Sequence, residues 1–355
     1  MTIEIKPFFH VKSNTFCYVV FDKSSNKGAV IDSCLDFDVT TGKTNSEHAD
    51  LVIGYIKENN ISIEWILETH VHADHLSAAP YIRDNLGGQI GIGSRVKEIQ
   101  HTFGEIYNAE KGFKRDGSQF DKLFNDGESF YIGKVLSSYI STPGHTPACG
   151  CYKIEDNIFV GDTLFMPDFG TARCDFPGGD ARTMYKSIRR ILEHHSQTVL
   201  WMCHDYLPNG RSEYQYRTTV GAQRENNPHV NDNISEDAFV QLREKKDSLL
   251  GFPKLLIPSI QVKLSQATKL SVVNTELLMV KSSETILSQP TAFCKMKVGR
   301  SSDTFEIKLT FAPTKPCQLE LSRSSIETKP DSRFLNIQEL FEVVDVHSIW
   351  YCFKL

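Results

Sequence analysis

His70-Val71-His72-Ala73-Asp74-His75 packs three imidazoles and a carboxylate into six residues. Its reading decides the fold. Just before it, Ile63-Glu64-Trp65-Ile66-Leu67 is β-branched and aromatic and reads as a buried strand. Just after it, residues 76–85 read as a helix stopped by Gly87-Gly88. The stretch is therefore a turn between the C-terminal end of a strand and the N-terminus of a helix. Imidazole nitrogen and carboxylate oxygen suit zinc, iron or manganese, and no thiolate in the stretch points to a soft or structural site. Alternation along an extended turn aims His70 and His72 the same way, while Asp74 and His75 face a second position. Histidine this dense has few explanations as a solvated loop. It reads as a metal site.

The rest of the chain sets bounds on what such a site serves. At 355 residues it is long enough for one large core and a smaller appendage. Its 40% hydrophobic and 23% charged residues are ordinary for a soluble globular protein. A net charge of -5 gives no basic field, which argues against nucleic acid and anionic membrane as partners. The nine cysteines, an odd number scattered from Cys17 to Cys352, follow no zinc-ribbon or disulfide spacing and read as reduced thiols. Met1-Thr2-Ile3-Glu4-Ile5-Lys6 has neither the apolar core of a signal peptide nor the arginine-rich character of a transit peptide. No apolar run reaches membrane-spanning length. The expectation is a cytoplasmic protein.

Along the chain, residues 16–21 and 28–31 read as strands joined by the 23–28 turn, with Asp32 closing the second. Residues 47–59 read as an amphipathic helix, with Leu51, Tyr55 and Ile56 toward the core. Strands and helices then alternate, which argues for an α/β layer architecture. Residues 89–92 give a short strand and 95–100 a helix, whereas 102–134 lose periodicity. Residues 135–141 return as a strand that runs into Thr142-Pro143-Gly144-His145, a tight turn that projects His145. Residues 157–161 form a strand ending at Asp162, and residues 198–203 one that delivers His204. Taken alone, a histidine in a turn or an aspartate at a strand end is unremarkable. Beside the first cluster, His145, Asp162 and His204 become ligand candidates converging from strand ends.

These residues carry a resemblance. His70-x-His72-x-Asp74-His75, Gly144-His145, Gly161-Asp162 and His204 resemble the signature elements of the metallo-β-lactamase fold superfamily. The resemblance implies an αββα sandwich over residues 1–264, with the metal at one edge. Thr69 to Ser77, with a small residue at Ala73, is similar to the persulfide dioxygenase branch. So are the Gly161 to Phe176 segment, Cys203-His204-Asp205-Tyr206 and Arg224-Glu225-Asn226-Asn227-Pro228, which resemble its bacterial sulfur dioxygenase-like members. That branch implies oxidation of a persulfide, typically glutathione persulfide, by O2 to sulfite and thiol. It implies one Fe(II) per chain on His70, His145 and Asp162, a 2-His-1-carboxylate set with open positions. His72, Asp74, His75 and His204 then stand beside the metal, orienting ligands and hydrogen-bonding water, with Asp74, His75 and His204 as the catalytic set. Arg173 is implied to face the carboxylate of the substrate, and Tyr206 and Arg224 to line the same pocket. The same inventory also fills a second metal position, so a two-zinc, glyoxalase II-like thioester hydrolase stays open.

Other reactive residues have plainer uses. Cys174 has no base partner in view and reads as a packed thiol. Cys149 and Cys151 alternate along a strand as core, and His194-His195 sit late in a 182–195 helix, where the dipole favours them. Residues 265–355 leave the resemblance behind. Phe305 to Phe311 alternate strictly as a strand, Leu319 and Leu321 suggest another, and 334–346 a short helix or strand. This appendage reads as small and mostly β, after a linker near 265–272. It carries no catalytic motif, and its candidate roles are homodimerisation, partner binding or covering a sheet edge.

Overall fold

In a computed structural model, alternation of side chains along short strands builds one core between two sheets and a second core outside them. The structure describes residues 2–38, 41–106, 109, 112–251, 253–265, 294–301, 304–311 and 315–321. One six-stranded sheet runs in the order Ile3–His10, Thr15–Asp22, Lys27–Ile31, Ser62–Leu67, Gln89–Gly93, Lys122–Phe124. Its first three strands are antiparallel neighbours and the remainder pair in parallel. The other runs Ser129–Ile132, Val135–Ser141, Gly150–Ile154, Asn157–Phe159, Val199–Trp201, Arg217–Thr219.

Adjacent residues of the second sheet go to opposite sides, as a period of two requires. Tyr139, Tyr152, Phe159 and Trp201 join Tyr18, Val20, Ile31 and Phe124 of the first sheet in the sandwich core. Their neighbours Ile140, Cys151, Ile158 and Leu200 join Met184, Ile188 and Ile191 of the helix Ala181–Leu192. Edge-on ring pairs lock the sheets together, with Tyr18 against Phe159 at 5.2 Å and Trp201 at 5.6 Å. On the first sheet, the helix Ala79–Leu86 packs on Ser62–Leu67, and Glu47–Glu58 packs beside that helix. The layer order is helix, sheet, sheet, helix, as the sequence led one to expect.

Several boundaries move, each for a local reason. The helix after the histidine turn starts at Ala79, because Leu76–Ser77 instead pair as a strand with Cys34–Leu35. In Glu47–Glu58 the buried face is Ala49, Val52, Ile53 and Ile56, while Leu51 points out, 66% exposed. Helical geometry, not hydrophobicity of one residue, chose the face. Asn157–Phe159 ends before Gly161-Asp162-Thr163, which form a 3₁₀ turn. The Ala181–Leu192 helix ends before His194, whose Nδ1 bonds the Ile191 carbonyl. The loose 102–134 region holds two strands, Lys122–Phe124 and Ser129–Ile132.

The chain divides into two compact units, one of residues 1–105 with 109–271, the other of 106–108 with 272–355. In the second, Cys294–Ser301, Thr304–Phe311 and Lys315–Leu321 form a three-stranded antiparallel sheet, pairing Cys294 with Phe311 and Phe305 with Leu321. Strands expected at 305–311 and around Leu319 are there. The expected element at 334–346 lies outside the described residues.

Candidate metal centre

Asp32 sets the cluster in place. It follows the strand Lys27–Ile31 at φ 52°, with its backbone turned where few residues other than glycine go. Its strand pairs in parallel with Ser62–Leu67, Ile31 opposite Leu67, so its carboxylate meets the residues entering the histidine turn. Asp32 accepts from the Thr69 amide and hydroxyl, each at 2.8 Å, and from His72 Nε2 at 3.0 Å. Thr69 Oγ1 in turn accepts from His70 Nδ1 at 3.0 Å. A second carboxylate, Glu68, lies 3.6 Å from His72 Nε2 and accepts from the Ser77 hydroxyl. Sequence reading left Asp32 as the end of a strand and Glu68 unmentioned. An aspartate closing an apolar strand was the signal for the first.

The remaining ligand candidates arrive from the second sheet. Gly144, at φ 148°, lies so close to Met184 that a Cβ there would meet its backbone at 2.3 Å; the next residue is His145. Gly161, at φ 52°, lies against Thr69, where a Cβ would come within 2.6 Å of Oγ1. Both positions require glycine to bring Asp162 and His145 up to the histidine turn. His204 follows Val199–Trp201 and its turn bridges back to Thr15.

His70, His145 and Asp162 offer ligand atoms that all lie within 4.8 Å of one another, and all three residues are buried. Asp162 Oδ2 is 3.6 Å from both His70 Nε2 and His145 Nε2. The other carboxylate oxygen, Oδ1, lies 3.3 Å from His204 Nε2, which is 3.5 Å from Asp74 Oδ2. Asp162 thus faces both halves of the cluster. His72, Asp74 and His75 form a further close group, and so do His72, Cys203 and His204. Burial pushes the Cys203 thiol up, with Asp32, Asp162 and Asp74 adding to it, so it stays a packed thiol.

Hydrogen bonds fix which nitrogen of each ring points inward. His145 Nδ1 donates to the Arg173 carbonyl at 2.7 Å, and His75 Nδ1 to the Leu76 carbonyl at 3.0 Å. His204 Nδ1 lies 3.2 Å from both the Asn14 carbonyl and the Thr15 hydroxyl. In these three rings Nε2 is left as the lone-pair nitrogen facing the cluster, whereas His72 spends its Nε2 on Asp32. Asp74 Oδ2, Asp162 Oδ1 and His204 Nε2 are buried and have no hydrogen-bond partner among the described residues. Three lone-pair atoms converging at 3.3–3.5 Å repel unless positive charge lies among them. A proton is one answer: burial opposes charge on His204, yet Asp162 and Asp74 outweigh it and raise its pKa. A divalent cation is the other, and it would displace that proton. The donor set is nitrogen and oxygen, suited to iron, zinc or manganese.

The expected substrate residues fare unequally. Tyr206 stacks on His204 with ring centroids 5.7 Å apart and is flanked by Phe165 and Phe169. Although Tyr206 is 41% exposed, desolvation of its phenol against these rings, then Asp162 and Asp74, push its pKa above the ordinary value, so the O–H stays protonated. Arg173 does not hold its guanidinium open for a ligand carboxylate. Its Nε and Nη2 take the two oxygens of Asp175 at 2.5 and 2.6 Å, its Nη1 takes the Gly251 carbonyl at 2.6 Å, and the group lies over the Phe176 ring. A carboxylate two residues along the same loop reaches the fork first. Arg224 pairs with Asp232 at 2.9 Å, its side chain 45% exposed, in a surface network shared with Arg189. Among the described residues, that surface pairing is the use the structure gives Arg224. Among the described residues no helix is long and apolar enough to cross a membrane.

The model of the metallo-beta-lactamase superfamily matches residues 12–204. "Glyoxylase B2" of Dictyostelium discoideum is 47% identical over 263 residues, 74% of this chain and 90% of that protein. The mitochondrial persulfide dioxygenase ETHE1 of Bos taurus is 28% identical over 253 residues, 70% of this chain and 82% of that one. Among solved structures, ETHE1 from Myxococcus xanthus superposes with a TM-score of 0.59 at 23% identity, covering 74% of this chain and 99% of its own, a likeness of fold.

Proposed function

The chain belongs to the metallo-beta-lactamase superfamily, and on that premise we propose that it is a persulfide dioxygenase with one Fe(II) per chain. It oxidises the outer sulfur of a low-molecular-weight persulfide, glutathione persulfide first among them. The observation that carries the proposal is the triad of His70, His145 and Asp162, two imidazoles and one carboxylate converging within 4.8 Å in a buried setting. That set leaves coordination positions open, which is what O2-activating non-haem Fe(II) needs. The relative named as a persulfide dioxygenase supports the same reaction.

Fe(II) held by His70, His145 and Asp162 would supply the one-electron chemistry that lets O2 react with a closed-shell sulfur. The chain's residues do the rest. Thr69 and the Arg173 carbonyl hold the rings of His70 and His145 by their Nδ1 atoms. Persulfide, O2 and water become thiol, sulfite and two protons. Asp74 and His204, with His75 beside them, offer a carboxylate and an imidazole to receive those protons. Tyr206 covers one side by stacking on His204 and presents a protonated phenol to the substrate. In this reading Arg173 acts through its main chain.

A second reading, a two-metal hydrolase of glutathione thioesters, is favoured by one observation. Asp162 divides its two oxygens between the His70–His145 side and His204, as a carboxylate bridging two ions would. The relative named Glyoxylase B2 supports it too. The test is metal content and O2 uptake measured together on protein purified anaerobically, with glutathione persulfide as substrate. About one iron per chain and persulfide-dependent O2 uptake are expected. Two zinc ions per chain, no O2 uptake and turnover of a glutathione thioester would put the hydrolase in its place.

A further inference from the structure

The carbonyl that holds His145 is itself held from behind. Arg173 C=O and Cys174 N–H belong to one peptide unit, and a peptide unit is planar and rigid. The carbonyl end accepts from His145 Nδ1 at 2.7 Å. The amide end donates to Asp247 Oδ2 at 2.9 Å, across 73 residues of sequence. Fixing one end of a rigid plane fixes the other, so the Asp247 carboxylate sets the direction in which the Arg173 carbonyl points. Asp247 is fixed in turn by Arg243, one helical turn earlier in Glu236–Asp247; the Arg243 Nη2 donates to its Oδ1. The Arg243 Nη1 reaches the Thr171 carbonyl at 2.9 Å, tying down the same loop from its other side. Both side chains are buried, 4% and 6% exposed. A buried ion pair of this kind contributes little net stability compared with apolar packing, so its presence here asks for another use.

We propose that Asp247, secured by Arg243, is a positioning residue for His145, acting through the Arg173–Cys174 peptide. A charged acceptor on the amide polarises the peptide and strengthens its carbonyl as an acceptor. The result is a carboxylate–peptide–histidine line ending at Nε2, the atom turned toward Asp162. It does for His145 what a carboxylate in direct contact does for other metal-binding histidines. The proposal rests on His145 being a metal ligand, and does not depend on which reaction the centre performs.

The experiment measures equilibrium Co(II) binding, by visible absorption, on the full-length chain freed of metal under argon. Four proteins are compared: wild type, His145→Ala, the double variant Arg243→Met/Asp247→Leu, and the double variant combined with His145→Ala. The double variant exchanges the ion pair for apolar groups, a change that buried pairs often tolerate. Expected is a loss of Co(II) affinity of about 10–100-fold in the double variant, with an altered visible band and unchanged far-ultraviolet circular dichroism. The same double change made in the His145→Ala background is expected to add no further loss. A folded double variant that binds Co(II) with wild-type affinity and spectrum overturns the proposal. Should the double variant not fold, Asp247→Asn is read by the same criterion, since it keeps the size of the side chain but removes the charge behind the Cys174 amide. If His145→Ala itself binds as wild type does, the assignment of His145 as ligand fails instead, and that failure is distinguishable.

Discussion

Two histidines close the cluster from the second sheet, and they are backed differently. His145 Nδ1 rests on a backbone carbonyl whose peptide is anchored by the buried Arg243–Asp247 pair. His204 Nδ1 rests on the Asn14 carbonyl and the Thr15 hydroxyl. From there a thread of polar groups runs outward. Thr15 meets Ser13 at 2.7 Å, Ser13 meets His10 Nδ1 at 2.6 Å, and His10 Nε2 meets Asp36 at 3.3 Å, which pairs with the exposed Lys12. One half is stiffened by fixed charge inside the fold. The other is stiffened by hydroxyls that donate and accept by rotating. A ligand that must hold a metal in one geometry benefits from the first arrangement, and a group that exchanges protons tolerates the second. The contrast matches a division of labour in which His145 binds and His204 assists.

The sharpest way to break that comparison is to remove each histidine. His145→Ala is expected to abolish persulfide-dependent O2 uptake and empty the centre of iron. His204→Ala is expected to keep iron and lose about 10–100-fold in kcat, the ordinary effect of removing a group beside the metal. Iron content by metal analysis, paired with O2 uptake, reads both. Equal loss of metal in the two variants would erase the asymmetry and favour two ions bridged by Asp162.

How much of this lay open in the sequence follows from distance along the chain. The histidine turn was legible because its chemistry is local: three imidazoles and an aspartate share one turn, whatever surrounds them. His145, Asp162 and His204 were legible because each ends an apolar strand, and strand ends of a layered fold converge. Asp32 reads only as the end of a strand, since its role arises from parallel pairing with a strand some 35 residues on, which no local pattern encodes. Arg173 read as a carboxylate binder. Its partner, Asp175, stood two residues away in plain sight, but only the curl of the loop brings the two side chains together. Asp247 was invisible because it touches the centre only through a main-chain amide. Leu51 is core-like by residue type alone, but the 3.6-residue period turns it to solvent.

A milder change probes the hydroxyl-backed half. Thr15, fully buried, loses only its hydroxyl in Thr15→Val, and His204 keeps the Asn14 carbonyl. The expected fall in kcat is less than about 10-fold with iron content unchanged, because one of two acceptors survives. Iron loss comparable to that of the Arg243→Met/Asp247→Leu variant would show that both halves depend on rigid backing to the same degree.

The remaining effect concerns pH, and again separates the halves. The loop behind His145 also rests on His229, buried, whose Nδ1 accepts from the Thr171 amide at 3.0 Å and whose Nε2 faces Lys246 at 2.7 Å. Burial first, then Lys246 and Arg243, lower its pKa to about 3. The unfolded chain binds a proton on this histidine near its ordinary pKa of about 6.5, whereas the folded chain does not. Its contribution is therefore fully present above that value and is lost as pH falls toward the folded pKa, at about 1.4 kcal/mol per unit. Between pH 7.5 and 5 the loss amounts to about 2 kcal/mol. On the other half, burial lowers the pKa of His10 as well, but hydrogen bonding and charge from Asp36 pull it back, so its share of the slope is smaller. Urea unfolding at the two pH values is expected to show a flatter dependence in His229→Gln than in His10→Gln. Identical slopes for the two variants would mean that the charge-backed half is no more resistant to protonation than the hydroxyl-backed one, and that difference between the halves would be withdrawn.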